Sequence, residues 1–482
     1  MSISSALNNA LSGLSVTSRM AETVSSNLSN ALTDGYGRRS LELSSGQIGG
    51  VGGGVKIEAM NRFVDAGILA DRRLADAALS GQQQGAQTLN QLEQTLGGPD
   101  DPAGLGGRLA QFERALISAA SDPASETRLA TVVSRLGDVT DTLQANTRSI
   151  QSIRQEVDGA IARDIDVLNN ALIQVENLNG DILRLKSTGN DVSALLDARQ
   201  NVVDQIAEIV PIRELPRDND TIGLMTTTGT TLLDGRAVQF GFERTPTITA
   251  DMTLTSGALS GITLDGVPLD PTTGIGRLDG GSLDASFAMR DATLVEAQAS
   301  LDEIAADLIV RFQDPTNDPT LTAGDVGLLT DQGSPLNTAD VPGLAGRISI
   351  NAAVDPAAGG TLSLLRDGLN AAAPGPTGNA AQLERWIDAL GAARADLPGA
   401  ASRSAAGRIA DFTAQVGSSR LKAEEKLSFT AARWDTLREA ELATGVDTDL
   451  ELQNLLRVEQ AYAANARVIQ TVDFMMQRLM EI

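Results

Sequence analysis

Residues 25–40 read SSNLSNALTDGYGRRS, and this stretch closes a long and regular apolar pattern. Asn27 and Asn30 stand three residues apart, and the turn sequence Thr-Asp-Gly-Tyr follows at residues 33–36. An asparagine near a helix end can bind an otherwise unpaired carbonyl or adopt a left-handed conformation, and Gly35 permits a tight turn. The stretch therefore predicts the end of a helix and a sharp change in chain direction.

The helix before this turn has apolar residues at alternating gaps of four and three, the a/d pattern of a coiled coil. Thr17 is the one polar residue among these positions, and charges are nearly absent from the segment. A surface helix normally carries ion-pairing charges, so the pattern favours packing against several neighbours in an assembly. Docking of the helix on its own domain is the alternative that the pattern leaves open. The a/d positions are Ile3, Leu7, Ala10, Leu14, Thr17, Ala21, Val24, Leu28 and Ala31.

The C-terminal end carries a second helix of the same kind. Asn465 is polar among its seam positions, and a buried polar residue at such a seam sets the register of a coiled coil. Together the two patterns predict a coiled coil formed by both chain ends, in which each helix reaches roughly 45 Å at about 1.5 Å per residue. The C-terminal seam positions are Leu455, Val458, Tyr462, Asn465, Ile469, Val472, Met476 and Leu479.

The sequence between the two ends predicts a mainly α fold with an inserted β domain. Two long apolar-periodic segments on either side of the turn at 187–191 form an antiparallel helical rod, with Asp191 as the expected N-cap of the return helix. The glycine-rich residues 49–55 favour a hinge or linker. From about residue 214, threonine, glycine and β-branched residues are typical of a small β domain, which we expect to have its own core and to cover the outside of the rod.

The expected division of the chain follows from these patterns. It is 1–58 for the N-terminal coiled-coil helix and linker, 59–213 for the helical rod, 214–279 for the inserted β-rich domain, 280–312 for a helix that rejoins the rod, 313–375 for loops and short strands, 376–446 for further helical rod, and 447–482 for the C-terminal coiled-coil helix.

Composition excludes several classes of function. The 482 residues carry 38 positive and 62 negative side chains, a formal net charge of −24, which repels nucleic acid and anionic lipid. Aromatic residues make up 3%, so the cores are built from Ala, Leu, Val and Ile, which favours helix-on-helix packing. No run of 18 apolar residues occurs that could span a membrane.

The chain contains neither cysteine nor histidine. Disulfides, thiolate nucleophiles, the Ser-His-Asp triad and ordinary zinc sites are therefore excluded, and we expect no cofactor and no enzymatic activity. Carboxylate-based hydrolysis is the enzymatic alternative that composition leaves open. The first residues, MSISSALNNALSGLS, lack the basic and apolar regions of a cleaved signal peptide.

The opening stretch resembles a segment shared by the axial proteins of the bacterial flagellum, that is, the rod, hook and hook-associated proteins. The C-terminal sequence LLRVEQAYAANARVIQTVDFMM resembles the C-terminal helix of the same families. Interior blocks at 195–210, 280–308 and 364–370 resemble the hook-associated protein 1 family, the first hook–filament junction protein. The opening residues that carry the resemblance are Asn27, Asn30, Thr33, Gly35 and Tyr36.

The resemblance implies a structural component of the flagellum that forms the hook–filament junction on which the filament assembles. It implies a ring of copies, with the hook protein, the second hook-associated protein and a flagellar export chaperone as partners. It also implies an extracellular position, reached through the flagellar type III apparatus without a cleaved signal. The alternatives are the hook protein or another axial rod or hook component, and, less favoured, a carboxylate-dependent hydrolase exported with the flagellum.

We expect the assembly interface to lie on the two terminal helices and the turn. Its expected residues are Ile3, Leu7, Leu14, Val24, Leu28, Asn27, Asn30, Gly35, Tyr36, Leu455, Val458, Tyr462, Asn465, Ile469, Val472, Met476 and Leu479.

Overall fold

The computed structural model describes residues 3–48, 51–98, 100–270, 275, 278–395 and 402–480, and helices dominate this part of the chain. The mainly α fold predicted from the sequence is therefore confirmed. The helices are α1 (Ile3–Ser29), α2 (Ala66–Leu96), α3 (Leu105–Ser121), α4 (Glu126–Ser187), α5 (Ser193–Ile209), α6 (Gly281–Ala288), α7 (Leu294–Gln313), α8 (Leu344–Arg347), α9 (Leu364–Asp367), α10 (Ala381–Gly391), α11 (Ala405–Thr444) and α12 (Thr448–Met480).

The strands form small antiparallel sheets. β1 pairs with β2, β3 to β6 form one sheet in chain order, β7 to β9 form another, and β10 pairs with β11. The strands are β1 (Arg38–Ile48), β2 (Val51–Phe63), β3 (Ile212–Pro216), β4 (Ile222–Thr226), β5 (Thr231–Asp234), β6 (Arg236–Ala237), β7 (Phe240–Gly241), β8 (Thr263–Leu264), β9 (Val267–Pro268), β10 (Leu329–Asp331) and β11 (Ile348–Ile350).

The predicted rod is present as α4 and α5. α4 has 62 residues, and such a helix is roughly 93 Å long at about 1.5 Å per residue. Ser125 caps its first turn by accepting from the N–H of Arg128. Val192, not Asp191 as predicted, occupies the N-cap of α5. Asp191 precedes it and accepts from the N–H of Ser193 at 3.0 Å.

Two apolar cores lie along α4. The first joins its N-terminal half to α3, α7 and α10, and contains the edge-to-face rings of Phe112, Phe312 and Trp386. The second joins its C-terminal half to α5, α6 and the strands from β3 to β7. Leu233 and Phe240 from the β-rich segment belong to this second core together with residues of α4. The prediction of a β domain with its own core is therefore wrong, because its apolar side chains close the core of the rod.

The predicted linker at 49–55 is also wrong over the part that the structure describes, since β2 begins at Val51; Gly49 and Gly50 lie outside the described residues. The glycines instead let a β-hairpin lie against α1. Gly54 has φ +89°, and a Cβ there would come within 2.0 Å of the Ser12 hydroxyl. That hydroxyl accepts from the N–H of Val55 at 3.2 Å. The rod helix accordingly starts late, at α2, with Asp65 as its cap.

The later boundaries follow the sequence more closely. The predicted helix at 280–312 is present as α6 and α7, interrupted by a π-helical turn at Met289–Thr293. Residues 313–375 contain the short elements α8, α9, β10 and β11. Across the described ranges, none of the helices is long and apolar enough to cross a membrane.

Candidate assembly interface

The two terminal helices pair with each other within the chain. They run antiparallel, since Gly13 of α1 lies against Asn465 of α12 while Val24 shares a groove with Asn454 and Val458. Val24, Val458 and Val472 are buried in this seam. The coiled coil of both chain ends predicted from the heptads is therefore present. Its seam residues pack against each other within a single chain.

Asn465 has a partner that the sequence did not predict. A Cβ placed on Gly13 would lie 2.8 Å from the Asn465 side-chain nitrogen, so the missing side chain of Gly13 makes room for the asparagine. A polar residue in an otherwise apolar seam fits at one register only, and a matching gap opposite it reinforces that register. The available signal was a glycine inside the heptad series, between Ala10 and Leu14.

The predicted interface residues divide into three groups. Ten are buried or half-buried along the terminal helices of the single chain: Ile3, Leu7, Leu14, Val24, Leu28, Leu455, Val458, Asn465, Ile469 and Val472. Three, at 45%, 46% and 59% exposure, remain open to solvent: Tyr462, Met476 and Leu479. The four turn residues, Asn27, Asn30, Gly35 and Tyr36, lie where α1 meets the hairpin.

An exposed face of this helix pair was missed. On α12, apolar side chains away from the seam are exposed, with Leu452 at 46%, Leu456 at 59% and Phe474 at 58%. On α1, a second heptad series follows one residue behind the first, and all its members are exposed. We call these α1 and α12 positions the outer face. The α1 series is Ser4, Asn8, Leu11, Ser15, Ser18, Glu22, Ser25 and Ser29.

The outer face has the chemistry of a helix-packing surface. Its α1 half is made mostly of small polar residues, which let another helix approach closely, and its α12 half supplies large apolar side chains. The available signal was the second set of gaps of four and three in α1. The heptad pattern of the seam alone could not reveal the outer face. A heptad pattern shows which side of a helix packs, but not which helix packs against it.

The turn after α1 is organised by Asn27, which is 1% exposed. Its side-chain amide donates to the carbonyl of Arg39 at 2.8 Å. Its side-chain oxygen accepts from the N–H of Arg39 at 2.9 Å and from the Tyr36 hydroxyl at 2.9 Å. Asn30 has the role expected for a helix-terminal asparagine, since its amide donates to the carbonyl of Ser26 at 2.9 Å.

Gly35 brings this turn against the rod. Its φ is +75°, and a Cβ there would lie 1.7 Å from the side-chain oxygen of Asn201 on α5. The backbone at Gly35 is left-handed, which glycine adopts without strain, and the contact with α5 adds a second reason for glycine.

Asp197 of α5 joins the turn and the hairpin to the rod. One carboxylate oxygen accepts from the N–H of Gly37 at 3.0 Å and from Arg62 at 2.6 Å, and the other accepts from Arg39 at 2.6 Å. Arg62 also donates to the side chain of Gln200 at 2.5 Å. We call these contacts the polar joint.

A buried ionic network lies just below the polar joint. Arg72 of α2 contacts Asp76 at 2.5 Å, Asp204 of α5 at 2.6 Å and Glu441 of α11 at 2.7 Å. Burial raises the pKa of Asp76, against the opposing effect of Arg72. The network ties α5 to α2, which follows the hairpin, and to α11, which precedes α12.

Comparisons with known proteins agree with this architecture. Residues 89–327 match the family model described as the flagellar hook-associated protein FlgK helical domain, and residues 442–482 match the flagellar basal body rod FlgEFG protein C-terminal model. The second model belongs to a class that includes rod proteins, and it covers α12. Both matches are therefore to models of flagellar proteins, one over the helical body and one over α12.

Matches to individual proteins point to one flagellar protein in particular. Flagellar hook-associated protein 1 of Salmonella typhimurium is 28% identical over 243 residues, which is 48% of this chain and 43% of that protein. The protein of the same name from Bacillus subtilis is 21% identical over 511 residues, covering 98% of this chain and 97% of that one. Both relatives carry the name flagellar hook-associated protein 1, so this chain is similar to that family.

The extent of these matches differs between relatives. The aligned part spans less than half the length of the Salmonella protein. The solved structure of the flagellar hook junction protein FlgK from Burkholderia pseudomallei is 18% identical, with a TM-score of 0.45, over 56% of this chain and 49% of that one.

Proposed function

We propose that this protein is a structural component of the hook–filament junction, in which copies pack side by side through the outer face of the α1–α12 pair. The observation that carries the proposal is a face of exposed leucine and phenylalanine side chains on a chain whose net charge is −24. Exposed apolar side chains grouped on one helix face of a highly charged protein mark an interaction surface. Burying each of them would contribute about 1.5–3 kcal/mol.

The helix pair suits side-by-side packing of identical copies. Its seam is already filled within the chain, so each copy brings a finished two-helix unit to the assembly. The two helices present different chemistry outward, small polar side chains on α1 and apolar ones on α12. If the α1 side of one copy packs against the α12 side of the next, the contacts are head-to-tail. Contacts of this kind close into rings or continue as helical tubes.

The partners follow from the same proposal. They are further copies of this chain, the hook protein, the second hook-associated protein and a flagellar export chaperone. The location is extracellular, in the flagellum. The role is architectural, without catalysis. The name of the relatives, flagellar hook-associated protein 1, supports the association with the hook.

The test compares three aspartate variants of α12 in a strain that lacks the protein. Leu456→Asp charges the outer face and should abolish filament growth and motility, while purified protein keeps its helical content and melting temperature. Val458→Asp charges the buried seam and should disrupt the α1–α12 pair itself. Ala464→Asp places the same charge at an exposed position away from the outer face and should swim normally. Normal filaments from the Leu456→Asp strain would refute the proposed packing surface.

A further inference from the structure

A pocket lies beside the seam of the terminal helices, where α1 and α12 meet β1. It has a volume of about 430 Å³, and most of its surface is apolar. Arg38 of β1 and Glu451 of α12, which form an ion pair at 2.8 Å, line it as well. The apolar lining residues are Met20 and Val24 of α1, Leu41 of β1, and Val458 and Ala461 of α12.

The pocket can receive an apolar side chain from outside the chain. Arg457 and Ala461, which form part of its α12 wall, are exposed, so this wall is open to solvent. An apolar cavity of about 150 Å³ already holds a benzene molecule. A pocket of about 430 Å³ therefore has room for a leucine side chain without displacing a wall residue.

The exposed leucines of α12 lie on the other side of the same helix. At about 100° per residue, Leu456 points about 140° away from Ala461 and about 160° away from Val458. Leu456 therefore cannot enter the pocket of its own chain. A protruding side chain on one flank and a recess on the opposite flank can meet only between two copies, and a contact of this kind is head-to-tail.

The charges beside the two features are complementary. Arg457 lines the pocket, and Glu459 lies three residues after the protruding Leu456 and on the same side of the helix. Both charged residues are exposed, and neither forms an ion pair with another described residue. Because they are two residues apart on one helix, they point to different sides and do not face each other within the chain.

We infer that Leu456 of one copy inserts into this pocket of the next copy, and that Glu459 of the first copy pairs with Arg457 of the second. The inference rests on the proposed function, for which it names the site that receives the outer face. Burial of the leucine favours the contact, because it removes apolar surface of both copies from water. The ion pair at the rim selects the register of the two helices.

Disulfide cross-linking in isolated flagella tests the contact directly. The chain has no cysteine, so Leu456→Cys together with Ala461→Cys gives one cysteine on each flank of α12. These two positions face apart on one helix and cannot form a disulfide within a chain. Mild oxidation should give a ladder of covalent oligomers, because each copy links to the next. Leu456→Cys with Ala410→Cys, at an exposed position of α11, is the matched control and should stay monomeric.

Charge reversal gives a second measurement in a strain that lacks the protein. Arg457→Glu and Glu459→Arg should each cause loss of most filaments, because each brings like charges together between copies. The double variant should restore filaments and motility. Mutual rescue would not follow from a role within one chain, since the two side chains do not meet there. Circular dichroism of the purified variants confirms that all of them are folded.

Two results would overturn the inference. One is the absence of the ladder, or a covalent dimer formed by Leu456→Cys alone, which indicates a two-fold contact instead. The other is a double charge variant as defective as either single one. If Leu456→Asp still abolished filament growth in that case, the outer face would remain a packing surface, and only the site assigned to receive it would be wrong.

Discussion

The side chain of Asn27 binds the backbone of Arg39 in both directions, as donor to its carbonyl at 2.8 Å and as acceptor from its N–H at 2.9 Å. It thereby occupies the place that a neighbouring strand would take beside the first residues of β1. Tyr36 closes the arrangement by donating to the same side-chain oxygen and placing its ring 5.0 Å from the Arg39 guanidinium. A single asparagine therefore fixes how the chain leaves α1 and enters the hairpin.

Asn27→Ala should destabilise the turn by about 1–3 kcal/mol, because the buried backbone groups of Arg39 lose their partner. Asn27→Asp should be nearly as harmful, since a carboxylate cannot donate to the Arg39 carbonyl. Amide hydrogen exchange of residues 30–48 measures the effect, and Ser29→Ala, at the exposed end of α1, is the control. Unchanged protection of this segment in both Asn27 variants would show that the hydrogen bonds are not what holds the turn.

Gly35→Ala should weaken the attachment of the turn to the rod. Two effects combine at this position, the left-handed backbone with φ +75° and the contact with Asn201. Gly189→Ala separates them, because Gly189 has φ +74° with no atom within 4 Å of an added Cβ. We expect Gly35→Ala to lower the free energy of unfolding more than Gly189→Ala does, as measured by urea unfolding. Equal losses would assign the whole effect to backbone strain and none to Asn201.

The β-rich segment should prove necessary for the stability of the rod. The sequence predicted a β domain with its own core outside the rod; the shared core instead makes the rod depend on this segment. Leu233 is completely buried, so Leu233→Ala should cost about 2–5 kcal/mol in unfolding free energy. Val267, in the same segment, is 66% exposed, and Val267→Ala should change stability by less than about 0.5 kcal/mol. Thermal melting followed by circular dichroism decides, and similar values for the two variants would restore the picture of an independent insertion.

Asp164 should make stability depend on pH in a defined direction. Burial raises the pKa of this carboxyl, although it accepts from the Ser282 hydroxyl at 2.7 Å. A folded-state pKa above the unfolded value favours the folded protein at low pH, and this contribution is lost as the pH rises through the folded pKa.

Asp164→Asn removes the buried charge and keeps an acceptor for Ser282. It should therefore raise the stability relative to the parent by up to about 1 kcal/mol at neutral pH. The difference should shrink as the pH falls through the raised pKa of Asp164, because the parent carboxyl then becomes neutral. Urea unfolding over that pH range measures it. Asp166→Asn, two residues further along α4 and exposed, is the control. A difference that grows on acidification would contradict the assigned direction.

Helix periodicity made most of this fold predictable. The heptads identified α1 and α12, and gaps of three and four identified α4 and α5, because each of these helices buries one continuous stripe. The β1–β2 hairpin was not predicted, because its glycines are typical of a flexible linker. In the structure, Gly54 instead allows β2 to lie close to Ser12 of α1. The polar joint was out of reach because Gly37 and Asp197 are 160 positions apart, and a lone aspartate in a helix carries no local signal of a distant arginine. The outer face could have been found from the second α1 heptad.

The antiparallel pairing of α1 with α12 joins the two most distant parts of the polypeptide. Arg38 and Glu451, which are 413 positions apart, form an ion pair at this end of the molecule. A polypeptide interrupted anywhere before residue 448 retains α1 but has nothing to fill its seam, and a lone helix of this size is marginal in water. The α12 half of the outer face would be missing from such a polypeptide as well.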